Sequence, residues 1–95
     1  GKMFADDAKD AGLVARVVED DALMVEAGKL AATLAAKPTI ALGLIRAQIK
    51  AALNNTLSET LSVEAAHQRI AGKTEDFREG VMAFLGKRAP EFKGK

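Results

Sequence analysis

The amino-acid sequence predicts a mainly α-helical chain made of a short helix, one isolated β-strand and four further helices. Two observations predict this class. Apolar residues recur at spacings of three and four over most of the chain, which is the period of an amphipathic helix. Only residues 13–18 form a short run rich in β-branched side chains, as a strand does. With 95 residues, the chain has room for one small domain at most.

The first helix is predicted from Lys2 to Ala11, with an acidic side formed by Asp6, Asp7 and Asp10. Gly12 follows it, and glycine is the residue most often found just beyond a helix end. We therefore expect the helix to end there and the chain to change direction.

The run from Leu13 to Val18 is predicted to be a strand, and nothing else in the sequence resembles one. A single strand leaves its backbone N–H and C=O groups unpaired and is not stable alone in water. We therefore expect this strand to pair with chain outside the sequence or with a second copy.

The second helix is predicted to start at the acidic run Glu19, Asp20 and Asp21, which suits the positive end of a helix dipole. Its apolar stripe consists of Leu23, Ala27, Leu30 and Leu34. Lys37 and Pro38 should end it, because a residue before proline avoids the helical conformation.

The third helix, Thr39 to Leu53, is the most apolar. Its only polar stripe is narrow and consists of Thr39, Gly43, Arg46 and Lys50. A helix that is apolar over most of its surface is buried on more than one side. Since the other short elements offer little cover, we expect a subunit interface there.

The fourth helix is predicted to begin at a capping box, in which Thr56 and Glu59 satisfy each other's backbone N–H groups, and to run to about Ala71. The last helix should be capped by Thr74. The apolar stripe of this last helix consists of Phe77, Val81 and Phe84.

Two glycines mark the last helix. Gly80 lies inside it, where glycine costs roughly 1 kcal/mol against alanine, so close packing is expected. Gly86 should end the helix and leave residues 87–95 as an extended basic tail. Glu75 and Asp76 fall in the first turn, where the helix dipole favours acids.

The residue types give no self-sufficient active site. His67 is the only histidine, lies within a predicted helix, and has no neighbour that would form a triad or a metal pair. The three aspartates of the first helix are interpreted as a solvated face, so no metal site is predicted. Cysteine is absent, which excludes disulfides and thiolate sites, and a net charge of +1 gives no basis for nucleic-acid binding.

Two stretches carry patterns that go beyond secondary structure. The first contains Gly1, then Ala5-Asp6-Asp7-Ala8, then Gly12-Leu13-Val14 and Val17-Val18. The second is Glu75-Asp76-x-x-Glu79-Gly80-x-x-Ala83-Phe84-x-x-Lys87-Arg88-x-Pro90-x-Phe92-x-Gly94. Together they resemble the C-terminal part of the crotonase (enoyl-CoA hydratase/isomerase) superfamily, with Asp7 where that family has Glu.

The resemblance implies a fold in which an N-terminal spiral domain, absent from this sequence, precedes residues 1–95 as a C-terminal helical segment. In that family the spiral provides the oxyanion hole and the catalytic carboxylates, so no catalytic residue is assigned here. The predicted strand would lie at the edge of the spiral, and the apolar third helix would pack family trimers, or dimers of trimers, together.

The resemblance also implies a binding role for two residues near the end of the last helix. Phe84 would contact the ligand, and Lys87 would face a phosphate of an acyl-CoA thioester as a point charge. The alternative is that Phe84 belongs to the core and Lys87 is solvated. No cofactor is expected to bind this chain alone.

Two functional classes remain open. The first is a fragment of an acyl-CoA hydratase or isomerase, inactive alone and serving oligomerisation and closure of the CoA site. The start at Gly1 without an initiator Met favours it. The second is a free-standing helical self-association module without chemistry. No membrane-length apolar run and no signal peptide are visible, so a cytoplasmic location is expected.

Overall fold

The computed structural model describes residues 3–95, and the predicted helix start at Lys2 lies outside them. The described elements are helical. They are α1 (Ala5–Asp10), a short 3₁₀ turn (Asp20–Ala22), α2 (Leu23–Ala35), α3 (Thr39–Ala52), α4 (Leu57–Gly72) and α5 (Glu75–Leu85). The chain divides into two compact units, one up to Ala31 and one from Ala32 to Lys95, so the division falls within α2.

In the first unit, α1 ends at Gly12 as predicted. Gly12 has φ +78°, a left-handed conformation that glycine adopts without strain. The Gly12 N–H donates to the Lys9 carbonyl at 3.0 Å and the Leu13 N–H to the Ala8 carbonyl at 2.9 Å. These two bonds satisfy carbonyl groups that the helix end would otherwise leave free.

The predicted strand over residues 13–18 is wrong: no strand occurs among residues 3–95. A strand exists only as part of a hydrogen-bonded ladder, and the described chain offers this segment no second strand. Instead, residues 13–18 contact α2 through their side chains. Ala15, Arg16 and Val18 line an open groove of about 330 Å³ together with Leu23, Glu26, Ala27 and Leu30 of α2. Arg16 Nη1 lies 3.4 Å from Glu26 Oε2.

In the second unit, α3 packs against α4, and α4 packs against α5. The predicted capping box is present at the start of α4. The Glu59 N–H donates to Thr56 Oγ1 at 3.2 Å, and the Thr56 N–H donates to Glu59 Oε1 at 3.3 Å. Thr74 caps α5 as predicted, because its Oγ1 accepts the Phe77 N–H at 3.0 Å.

The inner face of α5 differs from the predicted apolar stripe. Phe77, Val81 and Phe84 are exposed, whereas the buried residues of α5 are Asp76 and Ala83, which are 3% and 1% exposed. The two buried positions lie seven residues apart, about two helical turns, and therefore on one face of the helix. The predicted extended tail, residues 87–95, has no regular secondary structure, and its backbone is hydrogen-bonded to Asp76 and Glu79 of α5.

Candidate functional site

The two residues predicted to bind the ligand lie at the C-terminal end of α5. Phe84 is 82% exposed, so in this chain it is a surface residue and not part of the core. Lys87 is also exposed, and no hydrogen bond or ion pair holds its ammonium among residues 3–95. Their backbones are linked directly, since the Lys87 N–H donates to the Phe84 carbonyl at 3.2 Å.

The end of α5 has the geometry of a Schellman motif. Besides the Lys87 bond, the Arg88 N–H donates to the Ala83 carbonyl at 3.0 Å. The motif needs one residue in the left-handed conformation, which is usually glycine. Here it is Lys87, with φ +53°, whereas Gly86 is right-handed with φ −83°. The helix ends at Gly86 as predicted, but the left-handed position falls one residue later.

Glu79 fixes the chain that follows Lys87. Its carboxylate accepts two parallel bonds from the Arg88 guanidinium, both at 2.8 Å, and the Glu91 N–H at 2.7 Å. The hydrogen bond from Arg88, followed by that from the Glu91 N–H, lowers the pKa of Glu79 from its ordinary 4.5 to about 2. The same pairing raises the pKa of Arg88. This bidentate pair remains ionised throughout the physiological range.

Asp76 fixes the end of the tail. Its two carboxylate oxygens accept the Lys93 N–H at 2.8 Å and the Gly94 N–H at 2.7 Å. Its own N–H donates to the Lys95 carbonyl at 2.9 Å. Backbone N–H groups thus supply the hydrogen bonds that a buried carboxylate requires. We call Asp76, Glu79 and the tail residues bonded to them the tail clamp.

Two glycines allow the tail to lie close to α3 and α5 of the same unit. The Phe92 ring lies over Gly80, where an added Cβ would stand 3.6 Å from the ring, in ordinary contact. The suspected close packing at Gly80 is therefore present without being tight. At Gly94 the restriction is severe: φ is +75°, and a Cβ would lie 2.7 Å from Thr39 Oγ1.

The remaining candidates form no site. Among residues 3–95, no group of three or more His, Cys, Asp or Glu side chains lies close enough to hold a metal ion. The His67 Nδ1 atom is buried and has no hydrogen-bond partner within that range. No single described helix is long and apolar enough to cross a membrane. Only Asp20–Ala35 and Thr39–Ala52 taken together, as a bent pair, meet those criteria by length and composition.

Sequence reasoning missed the tail clamp. It assigned Asp76 to the helix dipole, and it treated Glu79 and Arg88 only as parts of a resemblance. The available signal was the acidic pair three residues apart on α5 followed by a basic tail. That signal does not show which residues pair, because the bonded residues lie between 9 and 19 positions apart.

Comparison with known proteins extends over the whole chain. A family model described as enoyl-CoA hydratase/isomerase matches residues 1–95. The 1,2-epoxyphenylacetyl-CoA isomerase of Escherichia coli K12 is 46% identical over 99% of this chain and 36% of its own length. A probable enoyl-CoA hydratase of Rhodobacter capsulatus is 38% identical over 99% of this chain and 37% of its own length.

Solved structures agree. A crystal structure of enoyl-CoA hydratase subunit I from Geobacillus kaustophilus aligns with a TM-score of 0.89 and 40% identity, covering 98% of this chain and 36% of that one. An enoyl-CoA hydratase from Polaromonas sp. JS666 aligns with a TM-score of 0.84 and 36% identity, covering 95% and 35%. This chain thus spans little more than a third of its relatives, and it belongs to the enoyl-CoA hydratase/isomerase family.

Proposed function

We propose that this chain is the C-terminal helical segment of a longer enzyme that acts on acyl-CoA thioesters through an oxyanion-stabilised enolate. The observation that carries the proposal is the family match over residues 1–95, in a chain that spans 36% of a curated relative. In this proposal an N-terminal spiral domain supplies the oxyanion-hole N–H groups and the catalytic carboxylates. The segment alone would have no hydratase or isomerase activity, and the enzyme would be cytoplasmic.

Within that enzyme, the end of α5 would close the CoA site. Phe84 offers a large exposed aromatic surface for contact with the ligand. The Lys87 ammonium is exposed and unpaired among the described residues, so it is available to a phosphate as a point charge. The same enzyme would use the exposed side of α3 for assembly into trimers or dimers of trimers.

The test is a comparison of Lys87→Ala with Lys73→Ala in the full-length enzyme. We expect Lys87→Ala to raise KM for an acyl-CoA about fivefold, the size of an exposed charge pair, with kcat nearly unchanged. Lys73 is also exposed but lies before the start of α5, so the whole of that 11-residue helix, about 16 Å at 1.5 Å per residue, separates it from Lys87. Its substitution should change neither constant. A collapse of kcat in Lys87→Ala with KM unaltered would contradict the proposed role.

A second candidate is a free-standing helical self-association module, favoured by the exposed apolar residues of α3. The mass of the polypeptide isolated from its source separates the two. The enzyme proposal expects a chain of which this sequence is roughly a third, with activity on enoyl-CoA. A polypeptide of this chain's own mass that assembles and shows no such activity would support the module.

A further inference from the structure

The end of α5 holds an exposed lysine in a conformation that disfavours it. Lys87 is the only non-glycine residue with positive φ among residues 3–95. In the left-handed region the Cβ of an L-residue crowds its own backbone, which is why glycine is usual there. Glycine is available one residue earlier, at Gly86, but is not used for this purpose. Such an outlier persists only where surrounding contacts fix it.

Hydrogen bonds fix the chain on both sides of Lys87, and those on the tail side belong to the tail clamp. On the helix side, the Lys87 and Arg88 N–H groups bond to the Phe84 and Ala83 carbonyls. On the tail side, Glu79 holds the Arg88 guanidinium by two bonds of 2.8 Å and the Glu91 N–H by one of 2.7 Å. The residue between these anchors is thereby confined to a narrow range of backbone angles.

The Lys87 side chain itself takes no part in the clamp. Its ammonium has no partner within the described range, whereas the guanidinium of the adjacent Arg88 is paired with Glu79. The backbone conformation sets the direction in which the Cα–Cβ bond leaves the chain, and hence the region that the ammonium can reach. An unpaired cation on a constrained backbone needs less ordering to receive an anion than one on a mobile backbone, although its side chain must still be ordered.

We propose that Glu79 is a positioning residue for CoA binding: through Arg88 and the Glu91 N–H, it holds the Lys87 backbone left-handed and so presents the ammonium to a CoA phosphate. This inference rests on the proposed function of Lys87. The Glu79 carboxylate would by its charge repel the phosphate of the ligand. In this proposal it nevertheless strengthens binding, because it positions the Lys87 ammonium.

The experiment is a double-mutant cycle on the full-length enzyme, with coenzyme A binding measured by calorimetry. We expect Lys87→Ala to weaken binding about fivefold and Glu79→Gln about threefold, in the range of exposed charge interactions. In the Lys87→Ala background, Glu79→Gln should have no further effect, because coupled residues are non-additive. The control is Glu75→Gln, which removes the same charge one helical turn earlier on the same face of α5.

The sign of the effect separates positioning from electrostatics. Loss of a carboxylate near an anion site should by itself tighten binding slightly, and Glu75→Gln measures that effect. Weakening by Glu79→Gln alone therefore supports positioning. Arg88→Lys keeps the charge but loses the bidentate fork, so it should weaken binding like Glu79→Gln. It serves as the test variant if Glu79→Gln does not fold.

Three different results would overturn either the positioning role of Glu79 or the phosphate contact of Lys87 on which it rests. If Lys87→Ala weakens binding but neither Glu79→Gln nor Arg88→Lys does, the positioning role is wrong and the function of Lys87 stands. If Glu79→Gln weakens binding equally with and without Lys87, Glu79 acts through the general fold. If Lys87→Ala changes nothing, the proposed phosphate contact itself fails.

Discussion

Individual carboxylates on α5 fix the path of the chain that follows it. Glu79 accepts three hydrogen bonds from Arg88 and Glu91, and Asp76 accepts two from Lys93 and Gly94. Bonds with an ionised partner are roughly twice as strong as neutral ones, so a few of them can order a short tail. The tail thereby lies along the side of α5 that carries these two carboxylates. Two acidic side chains therefore hold the tail against α5.

The first prediction concerns the titration of Glu79. Because folding lowers its pKa from 4.5 to about 2, the bond to Arg88 contributes full stability above about pH 4.5. That contribution shrinks as the pH falls towards 2, where the folded carboxylate takes up a proton. Carbon-13 NMR of the side-chain carboxyl should give a midpoint near 2, and Arg88→Gln should move it towards 4.5. A midpoint near 4.5 in the unsubstituted protein would show that the pair does not persist in solution.

The second prediction concerns Gly94. Its φ of +75° and the 2.7 Å separation between an added Cβ and Thr39 Oγ1 exclude a side chain without movement. Gly94→Ala should lower the free energy of unfolding by more than about 1 kcal/mol. Gly28→Ala is the control, since Gly28 lies inside α2 with nothing within 4 Å of an added Cβ. It should stabilise by about 0.5–1 kcal/mol. Equal thermal midpoints for the two variants would contradict the close approach at Gly94.

Hydrogen bonds of individual side chains were predictable from the sequence only where the two partners lie within a few residues of each other. The caps at Thr56 and Thr74 were read from the sequence because donor and acceptor lie three residues apart. Asp76 and Lys93 lie 17 residues apart, and no periodicity encodes that distance. The left-handed position lies at Lys87, one residue after the glycine that the sequence offered at Gly86.

At the scale of elements, the order and approximate bounds of the five α-helices follow from periodicity, caps and the Pro38 break. The predicted fourth helix, for example, occurs as Leu57–Gly72 with its capping box in place. The strand prediction failed because strand structure depends on a partner in space, and β-branched composition at residues 13–18 supplies only a preference. A helix satisfies its hydrogen bonds internally, so local sequence predicts it better.

The third prediction tests the capping box of α4. Thr56→Ala removes the acceptor of the Glu59 N–H, a 3.2 Å bond, and should lower the free energy of unfolding by about 1 kcal/mol. Ser58→Ala is the matched control, because Ser58 lies in the first turn of α4, is exposed and caps nothing. It should leave stability unchanged or slightly raised, as alanine is the better helix former. Chemical denaturation followed by circular dichroism measures both. Equal losses in the two variants would argue against the cap.

At the scale of the whole molecule, the described chain leaves most of its large apolar side chains exposed. Along α3 and just beyond it, Ile45, Ile49 and Leu53 are exposed, with Leu53 at 80%. The α3–α4 contact covers the opposite side of α3, where Ile40 and Leu44 are half-buried. The sequence predicted this exposed apolar surface on α3, because the polar stripe of the helix is narrow and the other short elements offer little cover. It could not predict whether or how that surface is covered, because the sequence of α3 does not identify a binding partner.

The fourth prediction is that the isolated 95-residue chain self-associates. Exposed apolar area is unfavourable in water in proportion to its extent, and contiguous patches of this kind occur at interfaces. Sedimentation at micromolar concentration should therefore give a mass above that of one chain. Ile49→Lys, on the exposed side of α3, should shift the distribution towards monomer. Gly43→Lys is the control, since Gly43 lies on the exposed polar stripe of the same helix, with nothing within 4 Å of an added Cβ. A cooperatively folded monomer of the unsubstituted chain at that concentration would contradict the prediction.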